Sequence, residues 1–495
     1  MFVTTNAVLN APLAPAAEPP AYRWRWAALF VILAAEVMDL LDALVTTIAG
    51  PSIQRDLGAT ETLIQWLGAG YILAMAVGLL TGGRLGDIFG RRRMFMVGAA
   101  GFVAASLICA LAQSPDVLIA ARVVQGLFGA VMLPQGLGII KEMFPPKEMG
   151  AAFGAFGPVM GLSAVGGPIL AGYLVDADLF GTGWRMIFLI NLPLGLLALL
   201  GATRFLPSTR SATALRIDLP GVLIFSVAAA MLVYPLVQGR ELGWPAWTFG
   251  LMAGSMLVFG LFAWYESIRA RRGKDPLVVP SLFRKRAFTG GLIAGLAFFS
   301  AMIGLSLVFN LYIQIGLHYS PLKAGLSGTP QAIGMVIGFI AANAGLMEKL
   351  GRRLMHIGLA VMTAGVVVFA ITLNAAGIGI TPWQLAPALA VCGLGMGLLM
   401  APFFNIVLAG VEPHETGSAS GALTAIQQLG GALGIAVLGT LFFNHLHFGA
   451  FGPVQSSFAD AMQLVLRLEI GLLVLTFLAT FLLPMKPLPE GEGAH

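Results

Sequence analysis

The chain has 495 residues, 58% of them hydrophobic and 10% charged, with a net charge of +5 and a mean hydropathy of +0.88. Soluble domains carry about 25% charged residues, so a soluble enzyme, a nucleic-acid binder and a disordered scaffold are excluded. A polytopic membrane protein remains, and its basic balance fits loop topology rather than a nucleic-acid partner.

Residues 1–26 are rich in Ala and Pro and lack an apolar stretch behind a positive start, so they read as a cytoplasmic tail rather than a cleaved signal. Crossing the roughly 30 Å hydrocarbon layer takes about 20 helical residues. On that measure fourteen spans follow, at 27–48, 63–82, 94–112, 117–140, 151–175, 186–206, 219–237, 247–265, 288–313, 325–347, 355–373, 385–408, 418–443 and 462–483. With the N-terminus in the cytoplasm, 22 of the 28 Lys and Arg fall on cytoplasmic segments, as the positive-inside rule requires. The expectation is an all-α protein of the cell inner membrane with fourteen transmembrane helices, both termini cytoplasmic and a second tail at 484–495. Cys109 and Cys392 lie in apolar runs and offer neither a disulfide framework nor a metal cluster.

The loop Gly82–Arg93 after the second span is echoed by Ala344–Arg353 after the tenth. Aligning Gly90 with Gly351 pairs Leu85 with Leu346, Asp87 with Glu348 and Arg91 with Arg352. An offset of eight spans fits a duplicated six-helix unit with two helices inserted. The layout is then a bundle at 27–206, an additional pair with a basic linker at 207–286, and a second pseudo-symmetric bundle at 287–483. Repeated bundles of this kind are the architecture of transporters that rock one half against the other about a midplane site.

Charged side chains at mid-bilayer cost at least about 2.5–3.5 kcal/mol on insertion scales and so need a reason. Glu36, Asp39 and Asp42 recur at helical spacing on one face of the first span, which must point at a cavity or a partner. Arg122 in the fourth span lies at a depth matching Asp42, and the two are expected to pair across the cavity. Three carboxylates in one low-dielectric cavity cannot all stay ionised easily. Holding a proton and holding a cation thereby become alternatives, which is the physical core of antiport. Glu469 and Arg467 read as residues near the outer interface whose charges snorkel, and Glu266 as a structural cap.

These residues bring a family into view. The chain resembles the major facilitator superfamily, and within it the fourteen-span drug:proton antiporters, over nearly its whole length. The resemblance rests on Gly82–Arg93, on Arg122-Val-Val-Gln125-Gly126, and on Gly154 with Gly167-Pro168-Ile-Leu-Ala171-Gly172. It is extended by Trp184–Pro193, Ser320–Gly325 and Gly417–Gly421. Ser163 and Ala171 stand where the family's antiporter motif has glycine, and both are small. The resemblance implies that Glu36, Asp39, Asp42 and Arg122 couple protons to transport. It implies that Gly83, Asp87, Gly90, Arg91 and Arg92 latch the two halves, and that Gly154, Gly167, Pro168 and Gly172 seal the interface between them.

Polar and aromatic residues inside spans are candidate cargo contacts: Gln65, Trp66, Tyr71, Gln135, Asn310, Tyr312, Phe403 and Asn405. No Walker loop is present, so a proton gradient is the expected energy source, with no cofactor and no metal. Gly-x-Ser-x-Gly-like strings lack the strand–turn context a nucleophile needs, so an enzyme is not expected. The leading expectation is a proton-coupled antiporter exporting lipophilic, cationic compounds. Alternatives are a dedicated exporter of one natural product, siderophore or lipid, and a proton symporter, against which the Gly-Pro element of the fifth span argues. The short outer loops leave a periplasmic adaptor as an open partner beside lipid, protons and cargo.

Overall fold

A computed structural model describes residues 22–43, 45–145, 147–148, 151–152, 155–208, 218–376, 379–408, 411–412, 415–446 and 454–485. Among them every regular element is helical. In chain order the long helices are α1 (Arg25–Ala43), α2 (Glu61–Phe89), α3 (Arg91–Leu111), α4 (Pro115–Met143), α5 (Phe156–Asp176), α6 (Gly183–Phe205) and α7 (Leu219–Gln238). Then come α8 (Ala246–Arg271), α9 (Arg286–Gly316), α10 (Pro321–Leu350), α11 (Arg352–Ala376), α12 (Pro382–Val407), α13 (Thr416–His445) and α14 (Val454–Thr480). Twelve of the helices are long and apolar enough to cross a membrane; α1, which carries three acids, and α5 fall outside that set.

The segments α1–α6 pack on one another, as do α9–α14. In the first group the tightest seam joins α2 to α4. A methyl group added at Gly82 would lie 2.1 Å from the Ala130 carbonyl oxygen, and one at Gly126 2.4 Å from that of Tyr71. The second group repeats this between α10 and α12, where a methyl at Gly393 would meet the Gln331 carbonyl at 1.9 Å. Lipid supplies no hydrophobic drive between helices, so such backbone-to-backbone contact carries the association. Gly90 ends α2 at φ 94° and Gly351 ends α10 at φ 53°. Both aligned loop glycines thus take a backbone conformation that L side chains avoid, and both break the chain between two helices.

The helix α7 lies beside α2 and α13, and α8 packs on its outer side. Trp247, Phe249, Leu257 and Trp264 of α8 are exposed, as a lipid-facing surface requires. The helix ends carrying Arg84, Arg91–Arg93, Lys141, Arg269 and Arg352 share one end of the bundle, the basic end.

Hydrogen bonds between the groups gather at the opposite end. Leu322 N–H donates to Asp176 Oδ2 at 3.0 Å, Gln314 Nε2 to the Thr47 carbonyl at 3.3 Å and Gln65 Nε2 to Thr440 Oγ1 at 3.1 Å. Gly172 and Gly325 complete the seam, since a methyl at either would sit within 2.5 Å of the Pro321 or Pro168 carbonyl. Nearer the basic end, an added methyl at Gly421 would meet nothing within 4 Å, and Leu162 is exposed. The hydrogen bonds and glycine contacts between the two groups are thus concentrated at the end opposite the basic one.

Candidate functional site

The charges of α1 sit where it crosses α4. Asp42 is 0% exposed and Arg122 1%, and Arg122 Nη1 donates to Asp42 Oδ2. A buried ion pair persists only where further hydrogen bonds replace lost water, and here they do. Gln125 Nε2 donates to Asp42 Oδ1 at 2.8 Å and Asn191 Nδ2 to the same oxygen at 3.0 Å. Arg122 Nη1 also donates to Gln125 Oε1 at 2.8 Å, and its Nε to the Leu67 carbonyl at 3.3 Å. Ser106 accepts from Gln125 at 2.8 Å and from Asn191 at 3.2 Å, and gives its own proton to the Phe102 carbonyl. Asn191 Oδ1 has no partner. Five helices, α1, α2, α3, α4 and α6, thus converge on one carboxylate and one guanidinium.

Tyr71 of α2 joins this network to the next acid. Its ring lies 4.1 Å from the Arg122 guanidinium carbon, a cation–π contact. Its hydroxyl donates to Asp39 Oδ1 at 2.5 Å. Asp39 faces α4, because a methyl at Gly129 would be 3.4 Å from its Oδ1. Asp39 and Glu36 are half-buried, so the three acids run from partly accessible to sealed along one helix face. Glu36 forms no hydrogen bond with another described residue.

Gln125, Asn191 and Ser106 join the network without having been named as candidate site residues. Gln125 was within reach, since a residue three after Arg122 shares its face. Asn191 lies within the Trp184–Pro193 match, whereas nothing local marks Ser106. Glu469 is corrected: it is 0% exposed with both oxygens unpartnered, whereas Arg467 is exposed as expected.

The loop motif after α2 is internally tied. Arg91 pairs with Asp87 at 2.9 Å and with Glu142 of α4 at 3.3 Å, and lies flat on Gly138. Arg92 donates to the Thr203 carbonyl of α6, and Gly83 lies near Pro134. In this conformation these contacts stay within α1–α6. Gly154 lies outside the described residues. Gly167 is buried, and Pro168 and Gly172 meet the start of α10.

Of the eight candidate cargo contacts, Tyr71 alone joins the acid network. Gln65 ties α2 to α13, and Trp66 donates to Gln238 of α7 at 3.1 Å. Gln135 holds the Gly82 carbonyl at 2.7 Å. Phe403 packs on Phe299 and Phe404, and exposed Asn405 meets Met347 Sδ at 3.6 Å. Asn310 and Tyr312 are buried, with Asn310 Oδ1 and the Tyr312 hydroxyl unpartnered.

Outside the spans, hydrogen bonds from Trp184 (2.9 Å) and Arg185 (2.7 Å) hold the Asp56 carboxyl below its usual range. Burial pushes the Glu415 carboxyl up, but hydrogen bonds from Lys285 (2.6 Å) and Ser281 outweigh it and leave Glu415 below its usual range.

A many-helix membrane body in two packed groups, with an ion pair at its helix crossings, has the architecture of a membrane transporter. The chain belongs to the Major Facilitator Superfamily, whose profile matches residues 28–435. It is 51% identical to a probable actinorhodin transporter of Streptomyces coelicolor over 91% of this chain and 78% of the relative. It is 33% identical to a tetracenomycin C resistance and export protein of Streptomyces glaucescens, over 84% of this chain and 76% of that one. Among solved structures, a bacterial homolog to the human lysosomal transporter Spinster, inward-facing and unoccupied, aligns with a TM-score of 0.65 at 16% identity. It covers 94% of this chain and 98% of its own, and its likeness supports the fold.

Proposed function

We propose that this protein is a proton-coupled antiporter that exports lipophilic compounds across the cytoplasmic membrane by alternating access, in the conformation open to the cytoplasm. On this reading α1 and α5 cross the membrane with the other twelve helices, giving fourteen crossings in two six-helix halves plus the α7–α8 pair. The basic end and both termini face the cytoplasm. The observation that carries the reading is the Asp42–Arg122–Gln125–Asn191 network, with Asp39 beside it and held by Tyr71.

Protons reach Asp39 first, because it is the less buried acid, and pass to Asp42. Neutralising Asp42 removes the anion that holds Arg122, which keeps its bonds to Gln125 and to the Leu67 carbonyl. The α1–α4 crossing then has two arrangements that differ by one proton, the two-state element alternating access needs. Cargo carrying positive charge competes with protons for Asp39 and Glu36. The cluster Gly83, Asp87, Gly90, Arg91 and Arg92 holds the cytoplasmic ends together in the opposite conformation, and the proton gradient supplies the energy.

A second reading, one dedicated natural-product cargo, is favoured by the relatives named for actinorhodin transport and tetracenomycin C export. A growth-inhibition panel in an efflux-deficient host separates the two. Protection against dyes, quaternary amines and several antibiotics supports a broad exporter, and protection against a single compound supports a dedicated one. Protection against nothing, at confirmed expression, contradicts export.

A further inference from the structure

Two buried acids at the basic end play no part in the α1 network. Asp218 caps α7, its Oδ1 accepting from Gly221 N–H at 3.2 Å and from the Tyr265 hydroxyl of α8 at 2.8 Å. Glu266 of α8 accepts at Oε2 from Val278 N–H, in the linker to α9, at 3.4 Å. Asp218 is 0% exposed and Glu266 3%. Their remaining oxygens, Asp218 Oδ2 and Glu266 Oε1, have no hydrogen-bond donor. Both orphans converge on Gly221, where an added methyl would lie 2.6 Å from Asp218 Oδ2 and 2.7 Å from Glu266 Oε1. The two carboxyls are within hydrogen-bonding reach of each other.

The surrounding groups leave these two oxygens to one another. Arg269 Nε lies 3.1 Å from Asp218 Oδ2, but gives its one hydrogen to the Asp275 carbonyl at 2.9 Å. Arg84, reaching in from α2, donates to the Asp275 and Pro276 carbonyls. The Asp275 side chain is exposed, and on α13 Glu415 is taken by Lys285. Leu277 closes the third side, 2.9 Å from the same methyl position, which leaves no room for a hydrated cation. Buried polar atoms are almost always hydrogen-bonded, and two facing carboxylates resist ionising together. One proton between them satisfies both orphans at once.

What that proton would hold is the linker. Beside the Val278 N–H bond to Glu266, Ser418 Oγ of α13 accepts from Val279 N–H at 3.0 Å and donates to the Leu277 carbonyl at 3.1 Å. The same short segment thus touches α2 through Arg84, α8 through Glu266 and α13 through Ser418, bridging the two packed groups. We propose that Asp218 and Glu266 form a proton-binding site whose single shared proton fastens the α8–α9 linker to the ends of α2 and α13. Loss of the proton as pH rises leaves two facing anions. Glu266 then turns away, gives up Val278 N–H and frees the linker. The site is separate from the acids of α1 and needs only that this end of the bundle meets water.

Two measurements test this. In infrared spectra of purified protein in lipid vesicles, wild type minus Glu266→Gln should show the carbonyl band of a protonated carboxylic acid at neutral pH. Wild type minus Asp218→Asn should show the same band, and its absence from both differences overturns the shared proton. In hydrogen–deuterium exchange corrected for intrinsic rates, the Val278 and Val279 amides should lose protection at least tenfold between about pH 6 and pH 9. Glu266→Gln points a fixed N–H at Asp218 and keeps a carbonyl for Val278, so its linker should stay protected across that range. Asp218→Asn, donating from the other side, should behave alike, and Glu266→Ala should be unprotected throughout. Wild-type protection that ignores pH overturns the proposal. So does protection in both amide variants that follows pH as wild type does or is absent at every pH. Neither readout involves transport, so both judge the acid pair whether or not the antiport reading holds.

Discussion

At the scale of single residues, one carboxylate, that of Asp42, receives three donors. Replacing Asp42 by Asn removes the charge but keeps the shape, leaving Arg122 buried and unpaired. Removing one partner of a buried pair costs about 3–5 kcal/mol. Asp42→Asn should therefore reach the membrane with a lowered melting temperature and show no proton-coupled efflux; wild-type efflux would refute the coupling role. Arg122→Lys keeps a point charge but loses the fork that reaches Asp42, Gln125 and the Leu67 carbonyl together. It should retain a fraction of the activity, and Arg122→Ala none, as counterflow rates in vesicles would report. Tyr71→Phe deletes the donor to Asp39 while preserving the ring over Arg122, so its efflux should lose rate and shift its pH dependence with little change in stability.

The Asp42–Arg122 pair was legible in the sequence because a charge in an apolar run must find a partner, and depth along a span can be counted from its ends. Ser106 was not, because neutral polar residues are common enough in spans to carry no signal alone, and the motif places of Gln125 and Asn191 did not say which carboxylate they would hold. Glu469 was misplaced for a geometric reason. The hydropathy boundary put the last span at 462, whereas the helix begins at Val454, about two turns earlier. That moves Glu469 from the end of a helix to its middle, where snorkelling cannot reach water.

At the scale of elements, the closed end depends on α5 and α10 touching through backbone. A Val side chain at Gly172 would run into the Pro321 carbonyl and Leu322 Cα, both rigid. Gly172→Val should still assemble, since the contact lies between the halves, but should not close this end. Accessibility labelling of a cysteine introduced at Leu322 should rise several-fold and efflux should fall. Unchanged labelling would show that the seam does not close the vestibule. The glycines of this seam could be read in advance as small residues, but their partner surface could not, because α10 is distant in sequence.

A second element is the linker after α8. Arg84 of α2 donates to the Asp275 and Pro276 carbonyls, Val279 N–H to Ser418 Oγ at 3.0 Å, and Lys285 pairs with Glu415. The stability given by Glu415 rests on its ionised form, whose affinity for protons is below the usual carboxyl value of 4.5. It is fully present above that pH and is lost as pH falls through the lowered value. The melting-temperature gap between wild type and Glu415→Gln should thus be constant near neutral pH and close below about pH 4.5. A gap that persists in acid would assign the effect to packing.

At the scale of the whole molecule, the all-α membrane class and the order of the long helices were readable from hydropathy period and charge asymmetry, which are one-dimensional signals, whereas twelve of the described helices, not fourteen, are long and apolar enough to cross a membrane. The place of α7 and α8 was not: inserted between two halves in sequence, α7 lies along the α2–α13 seam in space. Nor does the sequence say which conformation the halves adopt, because both use the same helix faces and differ by a rotation. The central claim is that acids of α1 hold protons or cargo by turns. Its most direct test uses proteoliposomes with a pH-sensitive dye inside and an imposed pH gradient, to which ethidium is added. Wild type should dissipate the gradient by moving protons opposite to ethidium, and Asp42→Asn should not. Proton movement in the same direction as ethidium, or gradient loss by Asp42→Asn equal to wild type, would contradict the account.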